Sequence, residues 1–157
     1  AGGVPTNGTR AWAKAIQDQL DTPIYFFGDL DAYTIQNIYR TLKAGSAASL
    51  IRNSDFSAPE VRFLGVLPED IKKYDLAAYK VNENDVGEAR SLKKAQDALK
   101  NDPFFKDKRN KGVTGILDWL IEHKLRCEQQ SYYMVDPRDP QKPEKIILEK
   151  IKKGHYV

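Results

Sequence analysis

The sequence predicts an α/β fold, an open parallel sheet flanked by helices with a helical C-terminal part, and three observations point that way. Ile24 to Phe27 is a short continuous apolar run of β-formers, as expected of a strand covered on both faces. Helical spacing brackets it, with Trp12, Ala13, Ile16 and Leu20 before it and Ile35, Ile38, Tyr39 and Leu42 after it. A second apolar run, Val61 to Leu67, follows, and beyond it the recurring apolar positions are helical, so strands come early and helices late.

Taken in order, Asn7-Gly8-Thr9 supplies turn and N-cap chemistry for a helix over 9–20, which Asp21-Thr22-Pro23 stops. Strand Ile24 to Phe27 ends on Asp29 and Asp31. The next helix closes at Lys43, with Gly45 as its C′ residue. Pro68-Glu69-Asp70-Ile71 opens a short helical turn after the second strand. Asn82, Glu83 and Asn84 lead into a longer helix carrying Val86, Ala89, Leu92 and Leu99, which Asp102-Pro103 ends. Ile116, Leu117, Leu120 and Ile121 predict a further helix running through Cys127, and Ile146, Ile147 and Ile151 a terminal one after Pro143. Asp136 to Pro143 reads as a surface loop.

Composition bounds the function. The 157 residues suit one domain, 1–157, and 25 basic against 22 acidic residues leave a net charge of only +3, so any nucleic-acid surface must be local. Cys127 is the single cysteine, which excludes an internal disulfide and argues against structural zinc. It fits a reducing, intracellular setting. No apolar stretch approaches the roughly 18 residues of a membrane span, so no membrane partner is expected. No P-loop occurs, and His123 and His155 lack metal-ligand spacing to each other or to Cys127.

The acids ending the first strand are the chemical signal. Alternation along an extended chain sends Asp29 and Asp31 to one side and Leu30 to the other, so the pair is able to share a cation. Ligands of open α/β sheets sit beyond the carboxyl ends of the strands, where this pair falls. Two close carboxylates repel, and magnesium, a hard ion that keeps several waters, compensates them. The alternative is that one acid caps the helix starting near Tyr33 while the other is solvated.

FFGDLDAYT resembles the haloacid-dehalogenase phosphatase signature, with Asp29 as nucleophile. However, Ala32 stands where that signature has Gly, and Thr34 lies one residue late. A longer resemblance is to the Toprim domain of the type IIB topoisomerase (topoisomerase VI) A subunit, with the related meiotic double-strand-break protein. It is carried, in order, by AGGVPTNGTRAW, IYFFGDLDAYTIQNIYRTLKAGS, APEVRFLGVLPEDIKKYDL, NENDVGEARSLKKA, NDPFFKDK, LRCEQQS and PEKIILEKIKKGHY. Ala32 and Thr34 depart from its Pro and Gly after the second Asp.

That resemblance implies a Toprim fold in which Asp29 and Asp31 bind Mg2+ beside a DNA phosphate. It also implies a tyrosine nucleophile on a winged-helix domain and a glutamate on an earlier strand, both expected to lie before residue 1. The catalytic residues are therefore expected outside this chain, which alone should not cut DNA. The implied partners are DNA, a second A subunit in a homodimer and an ATP-binding B subunit, in an intracellular, chromosome-associated setting. A non-catalytic dimerisation module is the third reading.

Tyr25, Tyr33 and Tyr39 fall in the apolar pattern and read as core or strand-end aromatics. Lys106, Lys108, Arg109 and Lys111 form the densest basic run and are the candidate DNA contacts, with a solvated loop as the other reading. Lys150, Lys152 and Lys153 read as a second basic cluster, or as compensation of the terminal helix dipole.

Overall fold

The computed structural model describes residues 4–45 and 56–157. Ala1 to Gly3 and Ser46 of the quoted segments lie outside the described residues. Helix α1 (Asn7–Leu20) starts earlier than predicted, because Thr6 is the N-cap and its hydroxyl accepts from Thr9 N–H at 3.2 Å. Asp21 ends it in the left-handed region, φ 44°.

The first strand, β1 (Tyr25–Phe26), pairs in parallel with β2 (Arg62–Phe63). Both regular strands are shorter than the apolar runs, but the hydrogen bonding continues: Leu64 N–H donates to Phe26 O at 2.9 Å and Val66 N–H to Gly28 O at 3.1 Å. The chain between them makes a π-helical stretch, Thr34–Tyr39, that continues as α2 (Arg40–Ala44) and ends at Gly45 with φ 88°. This is a β-α-β unit. The other side of β2 is filled by the C-terminal tail, where Val157 and Phe63 exchange both backbone hydrogen bonds, at 2.5 and 3.0 Å. Tyr156 packs edge-on against Tyr25 with centroids 5.2 Å apart.

Helix α3 (Pro68–Tyr74) follows β2, with Pro68 in its first turn and Asp70 reaching back to Leu67 N–H at 2.9 Å. Then comes a strand that the sequence did not announce, β3 (Ala78–Lys80). It leads to α4 (Val86–Asn101), capped by Asp85, and α5 (Pro103–Lys106), capped by Asp102. A 3-10 turn, Lys108–Asn110, precedes α6 (Lys111–His123).

The expected continuation of α6 through Cys127 is wrong. Lys124 turns left-handed, φ 50°, and Leu125–Cys127 form β4, antiparallel to β3. Strands are therefore not confined to the first half. A 3-10 segment, Gln129–Met134, and α7 (Lys142–Lys152) complete the chain, with the predicted loop between them and Pro143 buried at the start of α7.

One apolar core joins these elements. Leu30, Ile35, Tyr39, Phe63, Val66, Leu117, Leu120, Cys127 and Tyr132 are all at most 1% exposed. Tyr39 sits at its centre, stacked edge-on to Phe63 at 5.5 Å with its hydroxyl on Val61 O at 2.8 Å. Tyr25 is a half-buried strand aromatic, whereas Tyr33, expected as a core or strand-end aromatic, is 46% exposed and so lies outside the core.

Candidate functional site

The acid loop is built by two backbone encounters. Gly28 and Gly65 touch where β1 and β2 end: a Cβ on Gly65 would lie 2.2 Å from Gly28 O, so only glycine fits there. One residue beyond Asp29, Leu30 exchanges backbone hydrogen bonds with Cys127 at 2.9 and 3.0 Å, an antiparallel bridge that ties the loop to β4. Leu30 and Cys127 are buried, so the side chains on either side of them project outward. In this register Asp29 lies across from Glu128, and Asp31 across from Arg126.

Each carboxylate is held. Asp29 Oδ1 accepts Gln129 N–H at 2.8 Å. Asp31 Oδ1 accepts Thr34 N–H at 2.6 Å and its Oδ2 accepts the Thr34 hydroxyl at 3.0 Å. The helix-capping alternative thus holds for Asp31, while Asp29 is half-buried and bonded across the chain rather than simply solvated. Burial pushes the Asp31 carboxyl above the ordinary range and the Asp29 charge adds to this, against the two hydrogen bonds from Thr34. A nearby cation would relieve both effects.

The residues fit a hard divalent ion. Each oxygen bonded by Thr34 or Gln129 still has a second lone pair, and carboxylate oxygens are the donors such an ion prefers. Among the described residues no group of three or more His, Cys, Asp or Glu is placed to hold a metal. The pair alone could therefore supply only part of an ion's ligands, with water completing the rest.

Beside Asp31 opens a cleft of about 250 Å³ lined by Tyr33, Leu92, Leu120, Leu125, Glu88 and Arg126, among others. Arg126 reaches Glu88 of α4 at 3.3 Å, and Gln36 anchors the π-helical stretch to α4 through Ser91 O at 3.0 Å. A π-helical turn directly after the acids is a frequent companion of functional sites.

Behind the acid loop lies a polar cluster that sequence reasoning missed. Asp70, Tyr132 and Lys150 are each 0% exposed. Lys150 Nζ pairs with Asp70 and donates to Gly65 O at 2.7 Å; Tyr132 donates to Asp70 Oδ2 at 2.8 Å; His155 Nε2 meets Asp70 Oδ1 at 3.2 Å. Burial pulls the Lys150 ammonium below the usual lysine range, opposed by the Asp70 charge. The reading of Lys150 as a surface or dipole cation is overturned, because Lys150 sits on the buried face of α7 while Lys152 and Lys153 are exposed. The signal was its place in the helical pattern, four residues after buried Ile146.

The other candidates lie elsewhere. Lys106, Lys108, Arg109 and Lys111 are all exposed at the junction of α5 and α6, and none lines the cleft beside Asp31. Arg109 is forked onto Asp107, whose carboxyl it and its backbone N–H hold down at about 2. His123 stacks on Trp119 with centroids 4.4 Å apart, and neither histidine joins the acid pair.

A parallel β-α-β unit that ends in a braced D-x-D loop, covered by helices, is a Toprim-class α/β domain. Residues 1–142 match the family model of the Toprim domain shared by topoisomerase 6 A subunits and Spo11, and the chain belongs to that family. Its relatives include A subunits of type 2 DNA topoisomerase 6. That of Methanocaldococcus jannaschii is 37% identical over 131 residues, covering 82% of this chain and 33% of the relative. That of Archaeoglobus fulgidus is 32% identical over 129 residues, covering 82% and 33%. That of Methanothermobacter thermautotrophicus is 30% identical over 150 residues, covering 92% and 39%. The chain thus spans between a third and two fifths of the length of these relatives.

Proposed function

We propose that the chain is the metal-binding Toprim portion of a type IIB DNA topoisomerase A subunit, and that it supports magnesium-dependent cleavage of both DNA strands by a tyrosine on another domain. The observation that carries this reading is the braced pair Asp29 and Asp31 at the end of β1, in a chain of this family. Asp29 and Asp31 would hold Mg2+, which when bound supplies charge neutralisation at a phosphate and orientation of its leaving oxygen.

The chain's own residues set up that chemistry. The Gln129 N–H holds Asp29, and Thr34 holds Asp31, with both carboxylates turned to the outer side of the bridge. Leu30 anchors the loop between them in the core. Lys106, Lys108, Arg109 and Lys111, a second patch away from the acids, would contact the DNA backbone, with their own hydrogen-bonded Asp107 moderating the charge. The partners in this reading are DNA, a second A subunit in a homodimer, plus an ATP-binding B subunit; its setting is intracellular and chromosome-associated.

The test is a titration of the 157-residue chain with Mn2+ or Mg2+, followed by electron paramagnetic resonance or calorimetry. Wild type should bind and Asp29→Asn with Asp31→Asn should not. Equal metal binding by both would remove the acid pair from the proposal. The chain alone should form no covalent adduct with DNA in magnesium.

A further inference from the structure

The outer face of the bridge carries more than acids. Cys127 pairs with Leu30 on one side and with Ala78 on the other, so Arg126 is the neighbour of Asp31 across one edge of β4 and the partner of Tyr79 across the other. Arg126 is thus paired with Tyr79 across β3 and β4, and with Asp31 it lines the same cleft. Side chains directly opposite one another in such a ladder share a face, so Arg126 and Tyr79 stand side by side.

Both are open to solvent. The Arg126 side chain is 44% exposed and Tyr79 is 53% exposed. Among the described residues lining the cleft beside Asp31, Arg126 is the one cation, against Asp31 and Glu88. Among the described residues it makes one ion pair, 3.3 Å to Glu88, which leaves most of its five donors free. Glu88 is itself fixed by Asn82 N–H at 2.5 Å, so the arginine is held rather than merely neutralised. An acid, a held guanidinium and a phenol on the same side of β4 suit a polyanionic strand. The metal would take one phosphate, and Arg126 and the Tyr79 hydroxyl would donate to the next.

We propose that Arg126, with Tyr79 beside it, is a DNA-backbone contact that extends the acid site across β4 and β3. This rests on the DNA-directed reading above. It adds residues from outside the basic run at the junction of α5 and α6.

The experiment is a fluorescence-anisotropy titration of labelled duplex DNA with the 157-residue chain across a salt series in magnesium, for wild type, Arg126→Gln, Arg126→Lys and Tyr79→Phe. Loss of one phosphate contact should flatten the slope of log K against log salt by about 0.9 in Arg126→Gln, and Arg126→Lys should restore it. Tyr79→Phe should weaken binding about fivefold with the slope unchanged, the effect of one lost hydrogen bond. If wild type binds and Arg126→Gln keeps both affinity and slope, the proposal is overturned while the DNA reading stands. If wild type does not bind duplex at low salt, the DNA reading itself fails. Should Arg126→Gln not fold, wild type decides the matter through phenylglyoxal modification read by mass spectrometry. DNA should shield Arg126, and equal modification with and without DNA overturns the proposal.

Discussion

Asp70 and Lys150, 80 residues apart in the chain and each fully buried, form an ion pair that joins the start of α3 to the last turns of α7. Tyr132, Gly65 O and Leu67 N–H complete it, so little of its hydrogen-bonding capacity is left unmet. Breaking such a pair strands a charge without solvent. Lys150→Met is expected to cost roughly 3–5 kcal/mol, and adding Asp70→Asn should recover part of that, since the stranded charge is gone. Urea midpoints at unchanged m-value measure both; a double variant no more stable than Lys150→Met would contradict the argument.

The glycine contact at the end of the parallel pair predicts opposite signs for two alanines. Gly65→Ala drives a methyl into the Gly28 carbonyl, 2.2 Å away, and should cost more than ~2 kcal/mol. Gly115→Ala, on α6 with nothing within 4 Å, should stabilise by up to ~1 kcal/mol through helix propensity. Thermal melts of the two variants check the pair, and similar effects would mean that the backbones separate freely.

Metal binding should carry a pH signature. Because burial raises the Asp31 carboxyl above its ordinary value, it takes up a proton earlier as the pH falls, and the protonated acid no longer serves a cation. If Asp29 and Asp31 hold Mg2+ as proposed, the rise in melting temperature expected on adding it should fade at a pH above the ordinary carboxylate range of about 4, and be absent in the double Asn variant. A Mg2+ shift that persists unchanged to about pH 4 would count against Asp31 as a ligand.

Stability should fall in alkali. Burial pushes the phenols of Tyr39 and Tyr132 well above their usual value. From about pH 10 the unfolded chain loses those protons while the folded chain keeps them, so folding weakens as pH rises through that point. Lys150 acts the other way just below the usual lysine value, because the folded state gives up its proton first. Tyr39→Phe removes one phenol and should flatten the decline of the urea midpoint between about pH 9 and about pH 11. An unaltered decline would assign the alkaline loss to other groups.

Much of the architecture was legible because its signals are local. The helix around Trp12 to Leu20, the apolar strand before Asp29 and the Asp102-Pro103 stop all announce themselves within a few residues. The end of α6 did not, since Lys124 adopts the left-handed turn usually left to glycine and nothing in Lys124-Leu125-Arg126 marks a break. β3 was hidden for a related reason: Tyr79 and Lys80 are largely exposed, so Ala78 to Lys80 has no apolar face to betray it. The acid pair was found from its spacing. Its brace, Gln129, and the buried cluster of Asp70, Tyr132 and Lys150 come from distant segments whose meeting no local pattern encodes.

The Gln129 N–H that holds Asp29 comes from 100 residues further along the chain. A contact of that span closes a long loop, so its cost in chain entropy must be met by the packing of the whole domain. The brace on Asp29 therefore exists only when β4 and the segment after it are in place. In a chain cut short before β4, Asp29 and Asp31 would be present but Asp29 would lack its brace. If the acid pair holds a cation as proposed, cation affinity would then report on whether β4 and the Gln129 segment are in place.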